Sequence, residues 1–196
     1  MPKDWYCSFS KLQDKESKDA YRIVVSDRNS DVTIIAPHGG EIEPGTSEIA
    51  VAVAGQSYNA YRFEGMRKRP HHELHITSHK FDEPQGRELV AKSSIVIAIH
   101  GRKDRDDPES VYLGGLDKKT RDRIADELEK VDFRTRTRTE GDELSGTHPD
   151  NICNRGSRHE GVQLELPRSL RTKLLGDAAE MAKFAEAIRA AILGVT

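Results

Sequence analysis

The chain has 196 residues, which suits one domain. Charged residues make up 33% of it while the net charge is only −2, so a heavily charged but ordered globule is expected, with no global attraction to nucleic acid. Two distant cysteines, Cys7 and Cys153, exclude a disulfide framework and a cysteine zinc site, and no apolar run approaches the length of a membrane helix.

In chain order, Met1 to Asp14 lacks the apolar stretch of a signal peptide, so synthesis in the cytoplasm is expected. Tyr21 to Val25 and Val32 to Ala36 are short β-branched runs that predict strands, the second nearly buried on both faces. Ser26 to Asp31 between them reads as a loop. Pro37-His38-Gly39-Gly40 breaks the second strand, Thr46 and Ser47 offer caps, and Glu48 to Gln56 predicts a helix. Tyr58 to Phe63 and Glu73 to Thr77 predict strands. Pro84 to Lys92 predicts a helix with proline near its start. Ile95 to Ile99 is the clearest buried strand and ends in His100-Gly101, followed by a polar loop over Arg102 to Glu109. Asp117 to Lys130 has the spacing of an amphipathic helix, and Phe133 to Thr139 alternates Arg with Thr, a strand with one basic face. Val162 to Leu166 predicts a strand, and Asp177 to Leu193 a closing helix. Strands alternating with helices imply an α/β fold, one domain over 1–196, with a mixed, mostly parallel sheet flanked by helices.

Two buried-looking strands end alike, in His38-Gly39-Gly40 and in His100-Gly101. In open α/β sheets ligands lie beyond the carboxyl ends of strands, so the two imidazoles are candidate metal ligands. Two His and one acid with an open position is a catalytic zinc pattern, and Glu41 and Glu43 both follow His38 closely. His72-Glu73-Leu74-His75 is no HExxH motif, because its second histidine comes one position early. On a strand, His71, Glu73, His75, Thr77 and His79 would share one polar face. Glu165 sits inside the apolar run Val162 to Leu166, where a carboxylate is costly unless used or paired; Gln163 shares its face. Beside zinc such a Glu can take a proton from water. Asn154-Arg155, with Arg158, Arg168 and Arg171 nearby in sequence, predicts an acidic substrate, since arginine grips carboxylates through paired hydrogen bonds.

Five stretches occur in order: Ala36 to Ala50 (APHGGEIEPGTSEIA), Leu74 to Pro84 (LHITSHKFDEP), Val96 to Gly101 (VIAIHG), Asn151 to Gly156 (NICNRG) and Gly161 to Arg171 (GVQLELPRSLR). Together they resemble the phage-type poly-γ-glutamate hydrolase family over about Thr33 to Arg171. The resemblance implies a fold and site similar to the zinc carboxypeptidases, and a zinc enzyme that cleaves γ-glutamyl amide bonds of poly-γ-glutamate. It assigns zinc to His38, Glu43 and His100, the general base to Glu165, and a substrate carboxylate to Asn154 and Arg155, with Arg171 in the same cluster. Carboxypeptidase-like spacing would instead select Glu41. His79-Lys80 departs from the family pattern, in which a threonine is expected. A phage-borne enzyme of this kind would be released by lysis.

Two further functions fit the same residues. One is a binding module in which Arg134, Arg136 and Arg138 hold an anionic polymer or nucleic acid and the histidines are structural. The other is a zinc amidase on a different γ-glutamyl or acyl-amino substrate. Poly-γ-glutamate is the expected partner, with neither nucleic acid nor membrane.

Overall fold

The computed structural model describes residues 4–66 and 73–195. The β-branched runs of the chain form one sheet: β1 (Tyr21–Ser26), β2 (Val32–Gly40), β3 (Asn59–Gly65), β4 (Ile95–Arg102), β5 (Val111–Gly115), β6 (Thr135–Thr137) and β7 (Val162–Pro167). Their order across the sheet is β1-β3-β2-β4-β7-β5-β6. β3, β2, β4 and β7 run parallel to one another, β1 is antiparallel to β3, and β5 is antiparallel to β7 and parallel to β6. The mixed, mostly parallel α/β sheet expected from the sequence is present.

Helices cover both faces. α2 (Thr46–Ala54), α4 (Lys118–Glu129), α5 (Arg168–Gly176) and α6 (Ala178–Leu193) pack on one side, where Ile49, Ile124, Leu174 and Ile188 meet Ile34, Ile97, Ile99 and Leu164. α1 (Phe9–Gln13), α3 (Pro84–Ala91) and a 3-10 turn (Ile152–Arg155) lie on the other, against Ile35, Phe63, Val96 and Ala98. Alternate strand residues thus reach different layers, as a period of two requires. Asp117 and Asp177, placed by pattern as first helical residues, act as caps: Asp117 accepts from Thr120 N at 3.0 Å and Asp177 from Ala179 N at 2.9 Å. No helix among the described residues is long and apolar enough to cross a membrane.

Two expected strands are corrected. Residues 73–77 form no strand. Both edges of β3 and of β2 are already paired, and the segment's polar groups go elsewhere: Thr77 N donates to Asp4 at 3.0 Å and Ile76 O bonds His38 Nε2 at 2.8 Å. His71, the first member of the expected polar face, lies outside the described residues. The strand expected over Phe133–Thr139 shrinks to Thr135–Thr137, at the sheet edge. β7 is not an edge strand: it is buried throughout, between β4 and β5.

Candidate active site

The site lies at the carboxyl ends of β2, β4 and β7, where the parallel strands stop together. His100 and Glu165 are register partners on β4 and β7 and therefore face the same side. His38 stands near the end of β2, next to β4. Both histidines are buried.

After His38 the chain turns back on itself. Gly40 has φ +61°, and a Cβ there would lie 2.4 Å from Gly65 O; a Cβ on Gly39 would lie 2.2 Å from Ser47 Oγ. The turn closes through Glu43 N donating to His38 O at 2.9 Å, and Thr46 Oγ1 donates to Glu43 O at 2.9 Å. This places Glu43, not Glu41, against the histidines. Glu43 Oε1 is 3.1 Å from His38 Nδ1, Oε2 is 3.7 Å from His100 Nδ1, and Oε2 accepts from Gly101 N at 2.7 Å. Glu41 instead turns its amide to Gly65 O at 2.9 Å.

The two Nδ1 atoms of His38 and His100 are 3.1 Å apart. Donors held 2.0–2.2 Å from a tetrahedral zinc stand about 3.3 Å from one another, so the spacings among His38, Glu43 and His100 fit that ion. The outer partners fit as well. His38 Nε2 bonds Ile76 O at 2.8 Å, and a carbonyl can only accept, so Nε2 carries a proton and Nδ1 can offer its lone pair to an ion. His100 Nε2 is 3.4 Å from Ser78 Oγ, which again leaves Nδ1 facing inward. Two nitrogens and one carboxylate oxygen suit zinc.

His75 overlaps this set: one donor atom each from His38, Glu43 and His75 fall within 4.8 Å of one another. Its ring, however, packs against His38 tilted by 37° with centroids 4.0 Å apart, and its Nδ1 bonds Asp4 at 2.9 Å. In the set with His100 the donors stand 3.1, 3.1 and 3.7 Å apart and both Nδ1 atoms face inward, whereas His75 Nδ1 is engaged by Asp4, so His100 completes the better ion cradle. The His75 pKa is lowered to about 4, chiefly by burial and then by the neighbouring charge of His38, against the pull of Glu43 and Asp4.

The two buried acids are driven apart. Burial pushes the Glu43 carboxyl up, but the charge of His38 and hydrogen bonds from both histidines outweigh it and hold Glu43 well below the usual range. Burial and the Glu43 charge push Glu165 well above it, with His38, Arg102 and Arg171 opposing only in part. Such a split marks one acid as an anion and the other as a proton carrier. Glu165 Oε1 accepts from Gln163 Nε2 at 3.0 Å, and Gln163 Oε1 accepts from Asn151 Nδ2 at 2.8 Å, so the carboxyl is fixed by a buried amide chain.

The arginine cluster separates. Arg171 is buried beside both acids, in space that Gly101 leaves open: a Cβ there would lie 2.6 Å from its guanidinium carbon. Its nitrogens donate to the carbonyls of Leu166, Pro44 and Arg102. Asn154 is buried, with Nδ2 donating to Gly146 O and His148 O at 2.8 and 3.0 Å and Oδ1 accepting from Leu116 N, so it holds the 146–148 loop. Arg155 pairs with Asp150 at 2.6 Å on the surface. His75, Gln163 and Asn151 were not marked by any metal or catalytic spacing; a polar residue recurring at period two beside Glu165 was the one visible sign. A hollow between α2 and α6 is remote from this chemistry, and its one charged residue, Arg189, is tied to Ala52 O at 2.6 Å.

The choice between neighbouring acids has a direct check. Glu43→Gln should weaken zinc binding by more than about a hundredfold, beyond the usual effect of losing an outer partner, while Glu41→Gln should retain it. Metal content after dialysis decides. Zinc loss confined to Glu41→Gln would reverse the assignment.

Residues 6–187 match the family model for poly-γ-glutamate hydrolase. In Bacillus subtilis (strain 168), the SPbeta prophage-derived UPF0714 protein YoqZ is 39% identical over 87% of this chain, and UPF0714 protein YmaC is 35% identical over 89%. The chain spans 61% of the length of YoqZ and 73% of that of YmaC. A bacteriophage poly-γ-glutamate hydrolase superposes with a TM-score of 0.91 at 30% identity, covering 98% of each chain. The zinc-free apo form of YndL superposes with a TM-score of 0.89 at 28% identity, covering 97% of this chain and 98% of its own. With a family model matched over nearly its whole length, the chain belongs to the poly-γ-glutamate hydrolase family.

Proposed function

We propose that this protein is a zinc-dependent hydrolase that cleaves γ-glutamyl amide bonds of poly-γ-glutamate. The observation that carries the reading is the convergence of His38 Nδ1, His100 Nδ1 and the Glu43 carboxylate, with Glu165 one strand over. The zinc-free form of YndL supports the choice of metal. When bound, zinc supplies a Lewis acid for the scissile carbonyl and acidifies the attacking water.

The chain's own residues do the rest. Glu43, an anion at neutral pH, balances the cation and is anchored by Gly101 N at 2.7 Å. Ile76 O and Ser78 Oγ orient the two imidazoles. Burial and the Glu43 charge, which keep Glu165 protonated in the metal-free chain, would be offset by a bound cation, so that Glu165 takes one proton from water as the water oxygen adds to the γ-carbonyl carbon. Glu165 returns that proton to the amide nitrogen as the C–N bond breaks, which releases an amine and a carboxylate. Gln163 keeps the carboxyl aimed, and the buried Arg171 cation favours its charged form. Of the residues assigned to substrate carboxylates, Arg155 has the exposed cation that can leave Asp150 for a substrate; Asn154 holds the 146–148 loop and Arg171 braces the backbone at Pro44, Arg102 and Leu166.

Metal analysis joined to a depolymerisation assay tests the proposal. The protein should carry about one zinc per chain, shorten poly-γ-glutamate, stop when chelated and resume on zinc addition. Depolymerisation that continues unchanged after the metal is stripped would refute it. The binding-module reading loses ground because Arg134 and Arg136 of the basic strand are neutralised by Glu109 and Asp107 at 2.6 and 3.1 Å.

A further inference from the structure

The sheet register aligns four residues in one row. His100 pairs with Glu165, Glu165 with Tyr112, and Tyr112 with Arg136. Register partners share a face, so the row runs from the histidines across β7 and β5 to the edge strand β6. With strands about 4.8 Å apart, Tyr112 stands about 10 Å from His100 and Arg136 about 14 Å. Arg138, two residues on, belongs to the same face.

The Tyr112 ring is clamped between cations. The guanidinium carbons of Arg102 and Arg138 each lie 3.8 Å from its centroid. Two guanidinium groups at that height over one ring centre must occupy opposite faces. Arg102 spends Nη1 and Nη2 in its own loop, donating to the carbonyls of Lys103, Asp104, Asp107 and Ser110, and only its buried Nε lacks a partner. Arg138 differs. Its Nε is buried and unpartnered like that of Arg102, but among the described residues its Nη atoms have no hydrogen-bond or ion-pair partner either. Asp142, the acid that feels its charge, already accepts from Thr139 N at 2.8 Å and Thr139 Oγ1 at 3.1 Å. A buried, unsatisfied donor on a cation calls for an explanation, and an incoming anion supplies one.

We propose that Arg138, seated on Tyr112, is a subsite for a substrate carboxylate about two γ-glutamyl units from the scissile bond. This rests on the function proposed above. A γ-linked unit has five backbone bonds and extends about 6 Å, and each unit carries a free α-carboxylate. A chain leaving the histidine end of the row therefore brings a carboxylate level with Tyr112 at its second unit. The planar edge of a guanidinium matches a carboxylate fork. A single-stranded nucleic acid fits less well, since the stacking such strands use needs an open aromatic face and Tyr112 has none.

The test uses zinc-loaded protein and oligo-γ-glutamates of two lengths, a dimer and a decamer. Affinity is read by calorimetry on a Glu165→Gln background and kcat/KM on the parent. Arg138→Gln should weaken the decamer about tenfold in both, the low end for a charge-assisted hydrogen bond, and leave the dimer unchanged. Arg138→Lys should restore part of the loss, and Arg134→Gln on the same face should cost less than about twofold. A decamer with esterified α-carboxylates probes the same contact on the unaltered residue and should also bind about tenfold more weakly. Unchanged decamer affinity, equal losses for dimer and decamer, or an equal loss in Arg134→Gln would overturn the subsite. Arg138-dependent binding of an oligonucleotide as tight as the decamer would overturn its assignment to carboxylates. A parent that cleaves the decamer without regard to Arg138 removes the subsite and leaves the hydrolase. A parent that binds the decamer through Arg138 but cleaves nothing removes the hydrolase and leaves the subsite.

Discussion

Glu165→Gln should keep its zinc and its fold while turnover falls by about 10²–10⁴-fold, the usual contribution of a general acid–base group. Glutamine preserves the shape and the hydrogen bond with Gln163 but cannot carry the proton. The same variant has a stability readout that separates chemistry from structure. In metal-free protein the Glu165 carboxyl is raised by burial and by the Glu43 charge. Its folded form then holds a proton that the unfolded chain releases near pH 4.3. Stability contributed by Glu165 is therefore full below that pH and falls as pH rises toward the raised folded value. Glu165→Gln removes this loss, so the metal-free variant should melt at least as high as the parent at pH 8. Near-normal turnover would end the proton-carrier role, and a variant melting well below the parent would make Glu165 a structural residue.

His38→Ala and His100→Ala should each reduce bound zinc and activity to background. Each removes one of three donors and leaves the remaining two too few for a stable site. In the parent, zinc at a hundred times its dissociation constant should stabilise the fold by about 2.7 kcal/mol, by mass action on the native state. That gain should vanish in both variants, whereas their metal-free melting temperatures should stay closer to that of the metal-free parent. A variant that keeps its full zinc complement and the zinc-induced rise in melting temperature would place the ion elsewhere, with His75 and Glu43 as the first residues to examine.

The strand ends that carry His38 and His100 are readable in the sequence because β-branched runs are interrupted by glycine at the same point. Glu165 is readable because a carboxylate is out of place among Val162, Leu164 and Leu166. The choice between Glu41 and Glu43 is not, since both spacings are compatible with a turn. It is decided by Gly40 at φ +61° and the closure of Glu43 N on His38 O, which are backbone facts. β5 is equally hidden: Val111 and Tyr112 suit a strand, but the apolar run is only three residues long and ends in two glycines. It becomes a strand by pairing with β7 and β6, and Ser145 O packs where a Gly114 side chain would be. Residues 73–77 show the converse, a strand-like alternation beside β2 and β3, whose edges are already taken. The clamp on Tyr112 draws on Arg102 and Arg138, whose proximity no local pattern encodes.

β7 has its place in the middle of the sheet although it is the last strand in the chain. While the protein is being synthesised, β4 and β5 must wait with an open gap between them until residues 162–167 leave the ribosome. Those pairings span large sequence separations, which slows folding, and the waiting edges of β4 and β5 are places where one nascent chain can pair with another. Ribosome pausing or a stop codon upstream of Val162 would therefore yield an aggregation-prone fragment rather than a smaller enzyme, and chaperone demand during expression should fall once the final α5 and α6 segment has emerged to cover the inserted strand.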